Sequence, residues 1–396
     1  MTSTTSSMPP PASALPDPRA PLPIATPRTQ DSKVLVASQW QLMFWRFRRH
    51  KLAMICTVVV IFFYVVALFA EVIAPLDPNK VSNLYRYAPP QPISFQDKDG
   101  GFSLRPFVLG MKSSRDTNTL RITYVPDPTK RFPVNFFVKG EKYKFWGIWE
   151  SDVHLMGLAP DAPANTPFFL LGTDRLGRDM FSRIVYGARI SLSIGLVGVL
   201  LSLVFGILLG GVSGYYGGWL DAVIQRIIEF IRSLPTIPVW MALGAAMPPK
   251  WPPEYVYFGI TIILSLLGWT GLARVVRGRF LALREEDFVL AARLTNCSES
   301  RIIFRHMVPS FASHIIASIT LAVPGMIMSE TSLSFLGLGL RSPVISWGVL
   351  LQEAQNIQTV ALFPWLLIPG AAVILIVLAF SFVGDGLRDA ADPYGR

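Results

Sequence analysis

A chain of 396 residues with 51% hydrophobic and only 16% charged positions is too apolar for an ordinary water-soluble protein, in which about a quarter of residues carry charge. The mean hydropathy of +0.43 makes a lipid bilayer the natural solvent. The net charge of +10 could suggest a nucleic-acid partner, but orientation in a membrane explains it better.

Residues 1–38 are rich in Pro, Ser and Thr, as in "MPPPASALPDPRAPLPIATP", and predict a disordered tail acting as a tether. It is not read as a cleaved signal peptide, since the first hydrophobic segment starts only at Leu52 and is long enough to anchor. The basic run "WRFRRHK" (45–51) leads into that segment, so 39–73 reads as a basic elbow and a first span.

Six stretches are long and apolar enough to cross ~30 Å of hydrocarbon as helices: 52–73, 190–212, 219–247, 255–273, 307–330 and 361–384. The second is the cleanest, with no charge between Arg189 and Asp221. The third carries Asp221, Arg226, Glu229 and Arg232 in its first turns and Pro235 and Pro238 within it, which predicts a break between an amphipathic start at the membrane surface and a shorter apolar span. Gly206 and Gly210 form a G-x-x-x-G that lets helices approach closely. Cys56 and Cys297, in the first span and in a loop, define no disulfide framework.

Between the first two spans, 74–189 reads as a region outside the membrane. "FSLRPFVLGMK", "NTLRITYV" and "FPVNFFVKGEKYKFWGIW" mix β-branched and aromatic residues with turn residues, predicting a small β-rich insert. At roughly 80 residues such an insert is near the lower limit for an independent core and is expected to lean on a neighbour. In "LGTDRLGRDMFSRIVYGARISL", Leu176, Met180, Ile184 and Ala188 recur every four residues. That spacing predicts an amphipathic helix lying on the membrane surface ahead of the second span, capped by Thr173 or Asp174 rather than forming a catalytic or phosphate loop.

"LREEDFVLAARLTNCSESRIIFRHMVP" (283–309) is a dense polar block between two apolar stretches. Phe288, Ala291, Ala292 and Thr295 share one helical face, with acids at its N-terminal end where the helix dipole favours them. Ser298 is placed to cap a second helix with Ile302, Ile303, His306 and Met307 as its apolar stripe, Arg301 and Arg305 opposite, and Pro309 opening the next span. The expectation is two short cytoplasmic helices exposing Ala291 and Ala292 where a large side chain would hold a partner away. The plainer alternative is a solvated loop made basic by topology: seven arginines lie from Arg274 to Arg305, and Lys and Arg collect on the cytoplasmic side. With six spans both termini then face the cytoplasm. Segment 333–358, with "FLGLGLRSPVISWG", is expected to re-enter the membrane partly beside a path, with Phe335 near it, Trp347 at the interface and Glu330 next to it; an interfacial hairpin without substrate contact is the alternative.

No G-x-x-x-x-G-K-[ST], H-E-x-x-H or G-x-S-x-G occurs, and His50, His154, His306 and His314 are scattered. An ion-coupled carrier would rest on Glu71, Glu330 and His314, which sit near span ends or at an interface.

Four segments, "GTDRLGRDMFSRIVYGARISL", "GYYGGWLD", "LSFLGLGLRSPVISWG" and "GDGLRDAADP", carry a resemblance over 171–394 to permease subunits of bacterial ATP-binding-cassette importers of the oligopeptide, dipeptide and nickel group. The polar block is similar to that group's EAA loop, Glu-Ala-Ala followed by three residues, Gly, and later His and Pro. Ala291, Ala292, His306 and Pro309 match it, whereas Leu290 replaces the Glu and Asn296 the Gly. Asn tolerates the left-handed backbone a Gly provides. The insert, 85–149, is longer than in the typical member. The resemblance implies an all-α polytopic inner-membrane protein with a permease core at 190–384, a cytoplasmic C-terminus at 385–396, and coupling through Leu290, Ala291, Ala292, Arg293, Asn296, Arg301, Arg305, His306 and Pro309. It implies a second homologous permease, two ATPase subunits or domains holding ATP and Mg, and an extracytoplasmic solute-binding protein, with no cofactor in this chain. The substrate would be a peptide or, within the same group, an opine, nickel chelate or sugar conjugate, moved by alternating access.

Overall fold

The computed structural model describes residues 38–96, 102–115, 117, 122–163, 166–248 and 250–391. The expected N-terminal tail lies outside the described residues except for Ser38, and so do residues 392–396 of the expected C-terminal segment. The described residues fall into two units, 38–42 and 43–391. In the first, the Gln41 N–H donates to Ser38 Oγ at 3.3 Å and the Ser38 N–H donates to Gln41 Oε1 at 3.1 Å. This reciprocal cap satisfies two otherwise orphaned groups at the start of α1, Gln39–Arg49.

In the second unit, His50 Nδ1 accepts from the Ala53 N–H at 3.1 Å and opens α2, Lys51–Leu68, followed by the single turn α3, Ala70–Ile73. Strands β1 (Ser94–Gln96), β2 (Phe102–Arg115), β3 (Ile122–Phe145) and β4 (Trp149–Leu158) form one antiparallel meander in chain order. Its buried core is small, with Val108, Val134 and Phe168 at the centre, so its position is fixed from outside. The β3–β4 connection is the three residues Trp146, Gly147 and Ile148, with Trp146 (φ 52°) and Gly147 (φ 71°) both left-handed, a geometry in which Asn and Gly are the usual occupants. The hairpin end is held there by contacts with the end of the first span and with α4. The Trp146 indole N–H donates to the Leu68 carbonyl at 3.1 Å, its ring lies 4.7 Å under the Arg189 guanidinium, and Phe145 stacks on Phe69 at 6.0 Å. Arg189 is in turn paired with Glu71 at 2.6 Å. The insert leans on α2 and α3.

The surface helix expected from residue 174 does not form. Residues 173–179 make a closed loop, with Thr173 bridged to Asp179 and Gly177 at φ 70°. A single helix, α4, then runs from Met180 to Tyr216 without interruption. The cap is Asp179, which accepts from the Ser182 N–H at 2.8 Å, while Asp174 takes the N–H groups of Leu176 and Arg178 at 2.8 and 3.0 Å and holds the loop closed.

The break expected in the third span is present: α5 (Gly218–Ser233) and α6 (Thr236–Ala245) meet at 86°, because Pro235 and Pro238 remove two helical N–H donors there. Helix α7 spans Pro253–Leu283. It packs along α4 on a glycine seam: a Cβ at Gly206 would stand 2.9 Å from Leu272, one at Gly210 would collide with the Ala273 backbone, and one at Gly214 would stand 2.6 Å from Phe280. The fifth span, α11, starts at Ala312 rather than 307 and runs to Phe335, since Pro309 cannot continue the hydrogen-bond ladder and the chain kinks at Phe311. The last span begins at Pro364 rather than 361 and continues as α14, Ile368–Ala391. Among the described residues, helices long and apolar enough to cross a membrane number five, or up to six with the bent pair taken as one span.

Candidate functional site

The block at 283–309 folds as four short pieces. Helix α8 (Asp287–Leu294) is followed by α9 (Glu299–Arg301), a π-helical stretch Ile302–Met307, and α10 (Val308–Ser310). The π stretch has a local cause. Pro309 has no N–H to offer the Arg305 carbonyl, and the Val308 N–H reaches back to Ile303 instead of Phe304. Residues five apart then share a face, and Ile302 and Met307 are both buried. Ser298 occupies the cap position without a side-chain bond.

One expectation about this loop is corrected. Ala291 is exposed, but Ala292 is buried at 8%, because it lies one turn from Val289 on the face that packs against Phe280, Ile302 and Met307. The outward face carries Leu290, Leu294 and Phe304, exposed at 44%, 89% and 56%, around Ala291. Arg301, Arg305 and Pro309 are also exposed, and His306 is half-buried. Arg293 lies 5.1 Å over the Tyr215 ring at the end of α4. Asn296 adopts φ 58°, the left-handed conformation that ends α8.

At the opposite end of the bundle the structure brings Glu330 and Trp347 together, but inside the packing. Glu330 is fully buried and accepts from Ser346, Ser334 and Ser191 at 2.8, 2.9 and 3.2 Å. The Trp347 N–H donates to the same Ser191 Oγ at 3.2 Å, and its indole donates to the Ile184 carbonyl at 3.0 Å. Trp347, expected at an interface, is wholly buried against Phe63, with ring centroids 5.8 Å apart. It locks the short helix α12, Trp347–Leu351, between α2 and α4. Phe335 ends α11, half-buried, with its carbonyl accepting from Gln355. None of these three residues lines the cavity at mid-bundle.

That cavity, of about 450 Å³, is walled by α4, α7, α11 and the α5/α6 break, with Ser202, Arg232, Thr236, Trp240, Gly268 and Ser329 among its lining. Sequence reading had used Arg232 only as a sign of a polar helix start. Its position directly before the Ser-Leu-Pro break is the signal in the sequence for a place in the bundle interior.

A second charged cluster ties the loop before α4 to the segment after α12. Asp174 is paired with Arg178 at 2.6 Å and approached by Arg183 at 3.6 Å, while Glu353 faces Arg175 at 3.3 Å. Burial pushes the Glu353 carboxyl upward, and the neighbouring Asp174 adds to the effect.

The chain is 40% identical over 304 residues to the dipeptide transport system permease protein DppC of Bacillus subtilis, a match covering 72% of this chain and 92% of that relative. The family described as binding-protein-dependent transport system inner membrane component matches residues 202–394. The chain belongs to that family. It is a multi-pass membrane protein and a transport subunit, the permease component of an ATP-binding-cassette importer. The N-terminal transmembrane domain of oligopeptide transport permease C matches residues 38–90. The oligopeptide permease OppC of Bacillus subtilis is 37% identical over 223 residues, covering 56% of this chain and 70% of that one. Among solved structures, a chain of an inward-facing MetNI methionine ABC transporter aligns with a TM-score of 0.41 at 18% identity, covering 53% of this chain and 97% of its own. In this permease the sheet at 94–158 falls between the two matched segments.

Proposed function

We propose that this permease moves peptides or peptide-like solutes across the bacterial inner membrane, with a second homologous permease completing the path. Two ATPase subunits bind ATP and Mg and dock on the 283–309 loop, and a binding protein delivers substrate from the other side. The bent pair α5/α6 counts as one span, giving six, with both termini and the loop in the cytoplasm and the sheet outside. ATP closes the ATPases, the loops are drawn together, and the path opens outward; hydrolysis resets it. Peptide permeases among the relatives support the substrate class, with opines, nickel chelates and sugar conjugates as chemically related cargo.

The observation that carries this reading is the outward face of α8 and the π stretch. Leu290, Leu294 and Phe304 are large apolar side chains exposed on an otherwise charged loop, with the small Ala291 exposed next to Leu290, which is the form of a docking knob awaiting a groove. Replacing Ala291 with Glu leaves the loop's buried face untouched and should abolish ATP-driven uptake and copurification of the ATPase subunits, while membrane insertion stays normal. Uptake on an ion gradient by the isolated chain would refute the reading.

A further inference from the structure

The cavity at mid-bundle holds a cation without a counter-ion. Its lining residues Ser202, Gly268 and Gly325 stand near the middle of α4, α7 and α11, so it lies near the bilayer midplane, where an arginine is costly and marks function by default. The carboxylates nearest Arg232 in sequence are already engaged. Asp221 takes both Nε and Nη2 of Arg277 at 2.6 Å, and Glu229 takes Arg226 at 2.9 Å. Arg232 itself is exposed to the cavity and has no ion pair among the described residues. Its Nη1 lies 4.0 Å from where a Cβ on Gly271 would stand, so the guanidinium reaches across to α7.

Two further donors belong to residues that line this cavity. The Trp240 indole N–H is buried with no acceptor among the described residues, and an unsatisfied buried donor costs about 1–3 kcal/mol. The first turn of α6, at Thr236, has no side-chain cap, and such a helix start attracts negative charge. A guanidinium without an ion pair and an uncapped helix start at one cavity of ligand size lack one thing, an oxygen anion.

We propose that this cavity is a way-station for the carboxylate of the transported solute, with Arg232 binding the terminal carboxylate of a short peptide or peptide-like acid. The inference rests on the importer reading and names the chemistry it selects. The carboxylate takes the guanidinium in a two-pronged geometry close to the start of α6, and Ser202 and Ser329 keep the surroundings polar enough for passage. Interactions of modest number leave the site weak, as conduction requires.

The test uses the assembled importer without nucleotide. In a Cys56→Ala, Cys297→Ser background, Ser329→Cys reports occupancy of the cavity through its rate of alkylation by a maleimide, with trialanine and trialanine amide as probes. Trialanine is expected to slow alkylation at concentrations about tenfold lower than the amide does. Arg232→Gln should remove that preference, weakening protection by the acid and relieving the repulsion of the amide, and Arg232→Lys should keep part of it. Three outcomes overturn the proposal: no protection by either probe, equal protection in the parent protein, or a preference that survives Arg232→Gln. The second is the result expected if Arg232 instead pairs with a carboxylate on the second permease. ATP-driven uptake measured in the same preparation, and its loss in Ala291→Glu, tests the importer reading separately, so either inference can fail alone.

Discussion

Asp179 is asked to be a charged helix cap in a place that disfavours charge. Its Oδ2 accepts from the Ser182 N–H, but its Oδ1 has no partner among the described residues and the residue is 2% exposed. Burial therefore pushes its carboxyl up to about 6, against the pull of the Ser182 hydrogen bonds and with added repulsion from Asp174. An unfolded aspartate titrates near ~3.9, so between that value and about 6 the folded state holds the proton more tightly. The contribution of Asp179 to stability is thus greatest in acid and is lost as pH rises through the folded value. Asp179→Asn keeps an acceptor for Ser182 and removes the charge. It should raise the unfolding temperature of the purified protein at pH 7.5, and the difference from the parent should vanish by pH 4; a constant offset across that range would contradict the buried-charge account. The Glu71–Arg189 pair behaves differently, because both charges are satisfied at 2.6 Å and the pair also fixes Trp146. Arg189→Ala leaves Glu71 buried without its counter-ion and should cost about 3 kcal/mol. Limited proteolysis should then cut the β3–β4 hairpin, while Arg189→Lys, which keeps the charge, should protect it better. The sequence displayed the cap chemistry of this region but not which residue would use it, since Thr173, Asp174 and Asp179 are all competent. The left-handed Gly177, packed against the Ser82 carbonyl, decides it.

Among the elements, the 283–309 loop shows what periodicity conveys and what it misses. Both helical pieces are legible from apolar spacing, and the left-handed stop at Asn296 from the family resemblance, which puts a Gly at that position. The sidedness was not, because a stripe chosen at three- and four-residue spacing assumes an α-helix throughout. Pro309 turns the second piece into a π-helix, which buries Ile302 and Met307 of the expected stripe and leaves Ile303 and His306 half-buried, and Ala292 pairs with Val289 beneath it. Asn296→Gly should therefore preserve uptake, since glycine adopts φ 58° freely. Asn296→Val should disorder the loop at a cost of about 1–2 kcal/mol, because a β-branched residue is strained in that region. Hydrogen exchange across residues 287–307 would register the second change and not the first. Ala292→Glu should fail earlier than Ala291→Glu, unfolding the loop itself by burying a charge. If both variants kept a protected loop, the burial of Ala292 would play no part in its fold.

At the scale of the molecule, hydropathy located the spans because bilayer thickness fixes their length, whereas their ends were decided by contacts between distant segments, such as Trp347 on Ile184. The same contacts suggest how motion in the loop reaches the cavity. One buried cluster joins Val289, Ala292, Ile302 and Met307 of the loop to Val276 and Phe280 of α7 and to Phe311 and Ile315 at the entry of α11. Helices α7 and α11 both wall the cavity. Phe280 is central to this joint: it is fully buried, meets Phe311 edge-on at 5.8 Å, and sits against Gly214 of α4. Truncating it to Ala would cost about 3–5 kcal/mol and confuse loss of coupling with loss of fold. Phe280→Leu, at about 1–1.5 kcal/mol, loosens the joint while keeping it apolar. On the proposed function, ATP hydrolysis by the assembled importer should persist in Phe280→Leu while solute moved per ATP falls severalfold. The ratio of the two rates in vesicles reads this directly. An unchanged ratio would mean that the loop drives α7 and α11 as one rigid piece, through the backbone continuity at 283 and 311 rather than through the packing around Phe280.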